Sequence, residues 1–307
     1  MKTVDQISDR EDRQIQQANA SGRTPVVFIH GLWLLPSSWD NWVSFFEEAG
    51  YAAVAPDWPD DPDTVEEARA NPDVFAKKTL RQVADHTAAV IGRLNKKPVV
   101  MGHSTGGLLA QLIADRGLSA VTVGIDPGPF RGVLPLPIST LRVSLVVLKN
   151  PLNRGRAVTL TFDQFNYGWT NNLDEQEAKR LYETYHVAAP GVALMQMANA
   201  NLNPFSEAKL DVRNPERGPL LIIQGEKDHT VAPAIGKASY KRQRHNPAVT
   251  EIQMIPNRGH SLAIDSGWRE VAQVALDFVK RFASSPSENG ARAGREEVRD
   301  VEPTPAA

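Results

Sequence analysis

A serine flanked by glycines is the first feature of the sequence whose residue types and spacing could do chemistry. Gly102, Ser104 and Gly106 form a G-x-S-x-G element between the apolar run PVVM and the helical pattern GLLAQLIADRG. A strand, a sharp turn and a helix in that order expose a serine hydroxyl at the amino end of the helix. The partial positive charge of that helix end favours a developing oxyanion. The pattern predicts that Ser104 is a nucleophile.

Two downstream loops carry side chains that would activate this serine. Asp228 follows the apolar run PLLIIQG, and His260 follows VTEIQMI on a loop of Pro, Asn and Gly. A histidine can take the serine proton, and a carboxylate can orient the imidazole. Asp126 ends the run SAVTVGID and is the alternative acid. We favour Asp228, because Asp126 is followed by Pro127 and the chain turns away there.

A His-Gly pair at 30–31 ends the apolar run PVVFIH and indicates where an oxyanion would be held. Backbone N–H groups are the usual donors to such an oxyanion. We expect these donors to be the N–H of Leu32, just after the pair, and the N–H of Thr105, just after the nucleophile. Trp33 is the alternative to Leu32.

The other histidines carry no assigned role in this chemistry. His86 and His186 lie inside helical patterns and His245 in a basic loop, so all three are predicted to be surface residues. His229 is interpreted as a loop histidine. His103 adjoins the nucleophile, where it either lines the substrate pocket or packs against the backbone.

Composition narrows the possible sites and partners. The chain has 307 residues and no cysteine, which excludes disulfides, cysteine nucleophiles and thiolate metal sites. With 34 basic and 36 acidic side chains, the net charge is −2, which gives no footprint for nucleic acid and no polybasic membrane patch. Seven scattered histidines make a metal site unexpected. We expect neither a metal nor another cofactor.

The amino-terminal sequence bears on location. MKTVDQISDREDRQIQQ lacks the apolar region of a secretory signal, and no run of 18 apolar residues occurs in the chain. These features predict a cytoplasmic protein with no membrane span.

Short apolar runs must supply the strands that position these residues. Each has four to eight residues and is stopped by turn-forming residues, as is typical of parallel strands covered on both faces. Helical patterns over 63–94, 106–117 and 267–283 separate them. The alternation predicts an α/β fold with a mostly parallel central sheet flanked by helices. The six runs are 25–30, 51–56, 98–104, 119–126, 219–225 and 249–255.

The same patterns divide the chain into a lead, a core, an inserted cap and a tail. Residues 23–126 and 218–284 are predicted to form the α/β core. Residues 127–217 contain helical runs and no clear strand, which indicates a helical cap inserted into the core. Residues 1–22 form a polar lead, either disordered or a short helix. Residues 285–307, rich in Ser, Pro and Glu, are predicted to be a disordered tail.

The predicted cap is rich in aromatic residues and methionine. Such side chains over the serine would form an apolar cleft suited to a hydrophobic ester or lactone. The alternative is that many of these rings only pack the cap onto the core. The candidate pocket residues are Trp33, His103, Phe130, Phe165, Trp169 and Met195.

The chain resembles the α/β-hydrolase superfamily over about residues 24–283. The resemblance rests on HG at 30–31, GHSTG at 102–106, GEKD at 225–228 and RGH at 258–260. The chain order serine, aspartate, histidine is that of the superfamily's triad. The resemblance implies an eight-stranded, mostly parallel sheet. Because the residues before PVVFIH are few and polar, we expect one or two edge strands to be missing.

The resemblance also separates branches of the superfamily. Haloalkane dehalogenases and epoxide hydrolases carry Asp where this chain has Ser104, and the sequence HGLW differs from the HGGG-type lipase motif. The resemblance therefore implies a serine hydrolase that cleaves carboxylic esters or lactones of mainly apolar small molecules, as a monomer or weak homo-oligomer. Two alternatives are a cofactor-free perhydrolase or haloperoxidase on the same triad, and a receptor-like ligand-binding member with feeble turnover.

Overall fold

The computed structural model describes residues 7–283, in which a six-stranded parallel sheet lies between two layers of helices. The strands are β1 (Pro25–Ile29), β2 (Ala52–Val54), β3 (Val99–His103), β4 (Val121–Ile125), β7 (Leu220–Gly225) and β8 (Thr250–Ile255). Their order in the sheet is β2-β1-β3-β4-β7-β8. Each of the six predicted apolar runs contains one of these strands, so the predicted fold class is confirmed.

Helices connect the strands and cover both faces of the sheet. Those of the α/β core are α1 (Asp9–Ser21), α2 (Asp40–Glu48), α3 (Val65–Ala70), α4 (Leu80–Gly92), α5 (Thr105–Asp115), α10 (Pro233–Gln243) and α11 (Trp268–Phe282). The segment 127–217 contributes α6 (Ile138–Leu148), α7 (Phe162–Gly168), α8 (Glu175–Tyr185) and α9 (Gly191–Ala198). Short 3₁₀ turns lie at Pro36–Trp39, Pro72–Phe75, Pro151–Gly155 and Pro215–Arg217.

The core has two layers because successive side chains of a strand point to opposite faces. On β1, Val26 and Phe28 pack with residues of α2 and α11 on one face. Val27 and Ile29 pack with residues of α1, α4 and α5 on the other. The strands β1, β2, β3, β4 and β7 are buried on both faces, which explains why they are continuous apolar runs. The edge strand β8 is only partly buried, so the prediction that it is covered on both faces is wrong.

The sheet has fewer strands than the superfamily resemblance implies. Among the described residues it contains six strands and ends at β2, in agreement with the expected loss of edge strands. Helix α1 packs against β2. There the Arg10 guanidinium donates to the carbonyl oxygen of Ala55 at 2.9 Å, and the Gln14 side chain accepts from the Ala55 N–H at 3.1 Å.

Part of the polar lead is an ordered helix, α1. Its first turn is closed by a capping box between Ser8 and Glu11. Glu11 is buried and accepts hydrogen bonds from His86 Nε2 at 2.7 Å and from the Asp57 N–H at 3.0 Å. Burial raises the pKa of Glu11, but the hydrogen bond and charge of His86 outweigh it and hold that pKa below its usual value. The prediction that His86 lies on the surface is therefore wrong.

The segment 127–217 departs from the helical prediction in one place. A small antiparallel pair joins β5 (Ala157–Val158) to β6 (Ala189–Pro190). His186 was predicted to be a surface residue and is buried there, where its Nε2 accepts from the Leu160 N–H at 3.3 Å. Burial lowers the pKa of His186 to about 3, so the ring is neutral and can act as an acceptor.

Two predictions concern the chain ends and the membrane. The tail predicted at 285–307 lies outside the described residues. Within residues 7–283, none of the helices has the length and apolar character needed to cross a membrane.

We expect Glu11→Ala to lower the free energy of unfolding by about 3 kcal/mol, because it removes one member of a buried charge pair. Urea unfolding measures this loss. Asp12→Ala on the same helix is the control, since the Asp12–Arg93 pair is largely exposed and contributes less than about 1 kcal/mol. Equal losses in the two variants would show that α1 is not held by the Glu11–His86 contact.

Candidate active site

Ser104 lies in a strained turn between β3 and α5. Its φ and ψ are 57° and −122°, a region that a non-glycine residue rarely occupies. Hydrogen bonds on both sides hold it there. Its N–H donates to the Ile125 carbonyl at 2.9 Å, and its carbonyl accepts from the N–H groups of Gly107 at 2.9 Å and Gly128 at 2.8 Å. These bonds impose the conformation that exposes the hydroxyl.

The two glycines of the G-x-S-x-G element are required by close backbone packing. A Cβ atom at Gly102 would lie 2.0 Å from the carbonyl oxygen of Gly106. A Cβ atom at Gly106 would lie 2.0 Å from the carbonyl oxygen of Ile29 on β1. Neither position can hold a side chain without moving α5 away from the sheet, so the motif fixes the start of α5.

A series of hydrogen bonds joins Ser104 to His260 and Asp228. His260 Nε2 lies 2.9 Å from Ser104 Oγ, and His260 Nδ1 lies 2.7 Å from Asp228 Oδ2. The other carboxylate oxygen, Oδ1, accepts from the N–H groups of Thr230 at 2.6 Å and Val231 at 2.9 Å. One oxygen of Asp228 is therefore anchored by its own loop while the other faces the imidazole.

The loops that carry Asp228 and His260 are fastened to each other and to the segment 127–217. The Lys227 N–H donates to the Arg258 carbonyl at 2.7 Å. The Arg258 guanidinium pairs with the buried carboxylate of Asp265. The Ser261 N–H donates to the carbonyl of Trp169 at 3.0 Å. These contacts fix the backbone on both sides of His260.

Asp126, the alternative acid, lies beside Asp228 without reaching the imidazole. Its Oδ2 is 3.9 Å from His260 Nδ1, and its Oδ1 accepts from the Gly225 N–H at 2.7 Å and Gln224 Nε2 at 2.8 Å. Burial, together with the neighbouring charge of Asp228, raises the pKa of Asp126 well above its usual range. Asp126 therefore ionises less readily than an ordinary aspartate, and Asp228 is the carboxyl group in contact with His260.

Three of the predicted pocket residues pack around His260 or farther inside and do not line the cleft. His103 Nε2 donates to the His260 carbonyl at 2.8 Å, and burial and the His260 charge lower the pKa of His103 well below its usual value. The Trp169 ring meets the His260 ring edge-on at 4.6 Å between centroids. Phe165 stacks on Trp169 at 5.5 Å. The rings of these three residues pack inside the protein, around or behind His260.

An apolar cleft of about 510 Å³ opens on Ser104. Trp33, Phe130 and Met195 line it, as the sequence predicted, and so do Leu32 and Thr105. Within residues 7–283, neither the Leu32 N–H nor the Thr105 N–H forms a hydrogen bond to the protein. Both N–H groups are therefore available to an oxygen atom near Ser104.

Sequence reasoning missed a large part of the cleft wall. Leu134, Leu136 and Leu141, on and before α6, line the cleft, as does Leu194 on α9. The available signal was the run VLPLPIS at 133–139, which places apolar residues between prolines at a position where a surface loop is expected to be polar.

A group of potential metal ligands lies within this same site. Among the described residues, ligand atoms of His103, Asp126 and His260 lie within 4.8 Å of one another. Both nitrogens of His260 already contact Ser104 and Asp228, and His103 Nε2 contacts a carbonyl. A metal ion here would have to compete for a His260 nitrogen that already contacts Asp228 or Ser104, so these residues suit a hydrogen-bond series better than a metal centre.

A family model with the description "Alpha/beta hydrolase family" matches residues 26–274 of this chain. The match spans the whole sheet and the inserted segment. The chain belongs to the alpha/beta hydrolase family. A comparison with curated proteins gives no match for this alpha/beta hydrolase.

Several solved structures with the same fold are distant from this chain in sequence. The chain is similar to a monoacylglycerol lipase of Paleococcus ferrophilus, with 16% identity, a TM-score of 0.59, and coverage of 85% of this chain and 98% of that one. It is similar to a thermophilic esterase of Thermogutta terrifontis, with 17% identity, a TM-score of 0.61, and coverage of 85% and 91%. It is also similar to polyneuridine aldehyde esterase, with 16% identity, a TM-score of 0.60, and coverage of 83% of this chain and 98% of that one.

We expect Asp126→Asn to stabilise this alpha/beta hydrolase increasingly as pH rises above about 4. The unfolded Asp126 carboxyl loses its proton near pH 3.9, whereas the folded one keeps it to higher pH. Folding of the native chain therefore becomes less favourable as pH rises through this interval, and asparagine, always neutral, is free of that cost. Thermal unfolding at pH 4, 6 and 8 measures the difference. Asp85→Asn, on the exposed side of α4, is the control. A pH-independent difference for Asp126→Asn would contradict a raised pKa of the Asp126 carboxyl.

Proposed function

We propose that this protein is a serine hydrolase that cleaves carboxylic ester bonds, including lactones, of mainly apolar small molecules. The observation that carries this proposal is the hydrogen-bonded series Asp228–His260–Ser104, which ends at an apolar cleft. The lipase and the esterases with the same fold support the reaction class. The catalytic roles of these residues are part of the proposal.

The geometry accounts for each step of acyl transfer. Ser104 Oγ attacks the ester carbonyl while His260 Nε2 takes the hydroxyl proton, and Asp228 stabilises the imidazolium. The N–H groups of Leu32 and Thr105 donate to the tetrahedral oxyanion. His260 then gives its proton to the departing alcohol, which leaves the acyl group on Ser104. A water molecule, deprotonated by His260, releases the acid and returns the proton to Ser104. No cofactor takes part.

The inserted segment 127–217 acts as a cap in this proposal. It supplies Phe130 and Met195 and the leucines of α6 and α9 to the cleft wall, opposite the core residue Val231. An apolar wall with few polar groups selects an acyl or alkyl chain by burial of hydrophobic surface. The residues 23–126 and 218–284 form the catalytic core.

We expect Ser104→Ala to lower kcat for p-nitrophenyl butyrate by about 10⁴-fold or more, as deletion of a triad nucleophile does. The change removes only a hydroxyl at a turn held by backbone hydrogen bonds, so thermal unfolding should change little. Retained turnover with a native melting curve would reject Ser104 as the nucleophile.

The same assay separates the alternatives. A series of p-nitrophenyl esters from acetate to decanoate, with a set of lactones, defines the acyl preference. Added acetate and peroxide test for peracid formation. We expect hydrolysis of medium or long chains to exceed any peracid formation, because the cleft is apolar. A protein that binds these esters without multiple turnovers would instead be a receptor.

We expect Asp228→Asn to lower kcat at least 100-fold, because asparagine cannot stabilise the imidazolium and can hold the wrong tautomer. Asp126→Asn is the matched control, since Asp126 Oδ2 lies 3.9 Å from His260 Nδ1 and makes no hydrogen bond to it, and we expect less than a tenfold loss. The kcat values of both variants, measured in the steady state at pH 8, show which of the two aspartates orients His260. If Asp126→Asn loses its activity while Asp228→Asn stays active, the acid that orients His260 is Asp126, at the end of β4.

A further inference from the structure

Solvent-exposed apolar side chains are concentrated at the mouth of the cleft. Leu134 and Leu136, in the loop before α6, are 75% and 64% exposed although both also line the cleft. Ile138 at the start of α6 is 85% exposed. Exposed apolar patches of this kind mark binding surfaces. We call the following residues the apolar rim: Leu134, Leu136, Ile138, Leu141, Leu145 and Leu152.

Helix α6 carries apolar residues on two opposite faces. Its inner face buries Val143 and Val147. Its outer face turns Ile138, Leu141 and Leu145 to solvent at helical spacing. A helix at a protein surface normally has a polar outer face, so the outer face of α6 has the composition of a surface that becomes covered.

The exposed apolar surface extends beyond α6. A second depression adjoins the cleft and shares Pro151, Met195 and Asn199 with it. Phe205, 87% exposed, lies on the wall of this depression. The wall of this depression is mixed, since it also contains Arg154 and Glu207, so Phe205 is its one exposed large hydrophobic side chain among the described residues.

Positive charge accompanies the apolar rim. The segment 127–162 contains five basic residues and no Asp or Glu: Arg131, Arg142, Lys149, Arg154 and Arg156. Lys149, Arg154 and Arg156 are exposed, and within residues 7–283 none of the three forms an ion pair with a carboxylate. The net charge of −2 for the whole chain conceals this local excess of positive charge.

Apolar and basic side chains on one surface favour an anionic lipid layer over a second copy of the chain. A symmetric contact between two copies would set the same basic segment against itself. A lipid layer with anionic headgroups accepts both components, because apolar side chains enter the boundary with the acyl chains while cations meet the phosphates.

We propose that the apolar rim and its basic neighbours bind the surface of an anionic lipid layer, so that an ester-bearing lipid enters the cleft directly from that layer. The substrate part of this proposal rests on the proposed function, whereas the binding itself requires no turnover. The protein lies on the layer through α6 and its flanking loops and does not span it.

Binding of the Ser104→Ala protein to vesicles tests the proposal without hydrolysis of the lipid. The vesicles contain phosphatidylcholine alone or mixed with an equal part of phosphatidylglycerol, and co-sedimentation measures the bound fraction. We expect binding to the mixed vesicles and at least about tenfold weaker binding to phosphatidylcholine alone. Added salt should weaken the binding to the mixed vesicles.

Two pairs of substitutions on the Ser104→Ala background assign the surface. Ile138→Ser with Leu145→Ser removes apolar side chains that do not line the cleft, and Lys149→Glu with Arg154→Glu reverses two charges. We expect each pair to weaken binding to mixed vesicles at least about tenfold. The controls are Val249→Ser, an exposed apolar residue next to β8, and Lys97→Glu, an exposed cation next to the amino end of β3. Neither control should change binding.

The possible failures are distinguishable. Absence of binding to mixed vesicles, or equal losses in the controls, overturns the lipid proposal. So does a concentration-dependent dimer, seen by sedimentation velocity, that disappears with Ile138→Ser and Leu145→Ser while vesicles remain unbound. Hydrolysis of soluble esters by the native chain without vesicle binding leaves the proposed function intact. Vesicle binding without ester hydrolysis leaves the lipid surface intact and rejects the proposed function.

Discussion

Close backbone contact between β1, β3 and α5 is the constraint on which the site depends. Gly106 lets the start of α5 lie against the Ile29 carbonyl, and Gly31 lets the loop after β1 approach Ser104, where a Cβ atom would lie 3.0 Å from Ser104 Cβ. Leu32 directly follows Gly31 and Thr105 directly precedes Gly106, so these glycines also position the backbone of both residues. A side chain at either of these glycines would push Ser104 away from the strand and the loop that surround it.

The pairing of β4 with β7 explains why two carboxyl groups lie near one imidazole. Both strands end at the same edge of the sheet, so Asp126 after β4 and Asp228 after β7 are brought together by parallel pairing. Two adjacent buried carboxyl groups do not both ionise readily. Asp228 accepts from the Thr230 and Val231 N–H groups and contacts His260, whereas burial beside Asp228 raises the pKa of Asp126. The sheet topology thus supplies the second carboxyl group, and local hydrogen bonds distinguish the two.

The sequence predicted the elements whose signal is local. Five of the six strands of the sheet are buried on both faces and appear as apolar runs, and the glycines around Ser104 mark a turn that only they can form. The contacts between Ser104, His260 and Asp228 were predicted from loops that follow neighbouring strands. Each of these features is determined mainly by residues that are close together in the sequence.

The wrong predictions concern residues whose environment depends on partners that are distant in the sequence. His86 is buried because Glu11, 75 positions away, pairs with it, and His186 is buried as a neutral acceptor for Leu160. Phe165 and Trp169 look like pocket residues by type, but Phe165 packs on Trp169, and Trp169 packs on His260. Charge counted over the whole chain could not reveal that the segment around α6 has only basic ionisable side chains.

The proposal that Ser104 is the nucleophile is tested most directly by labelling with a fluorophosphonate, followed by intact-mass and peptide analysis. We expect one adduct per chain, on the peptide that contains Ser104, whereas an adduct on another residue, or none on the folded protein, would contradict it.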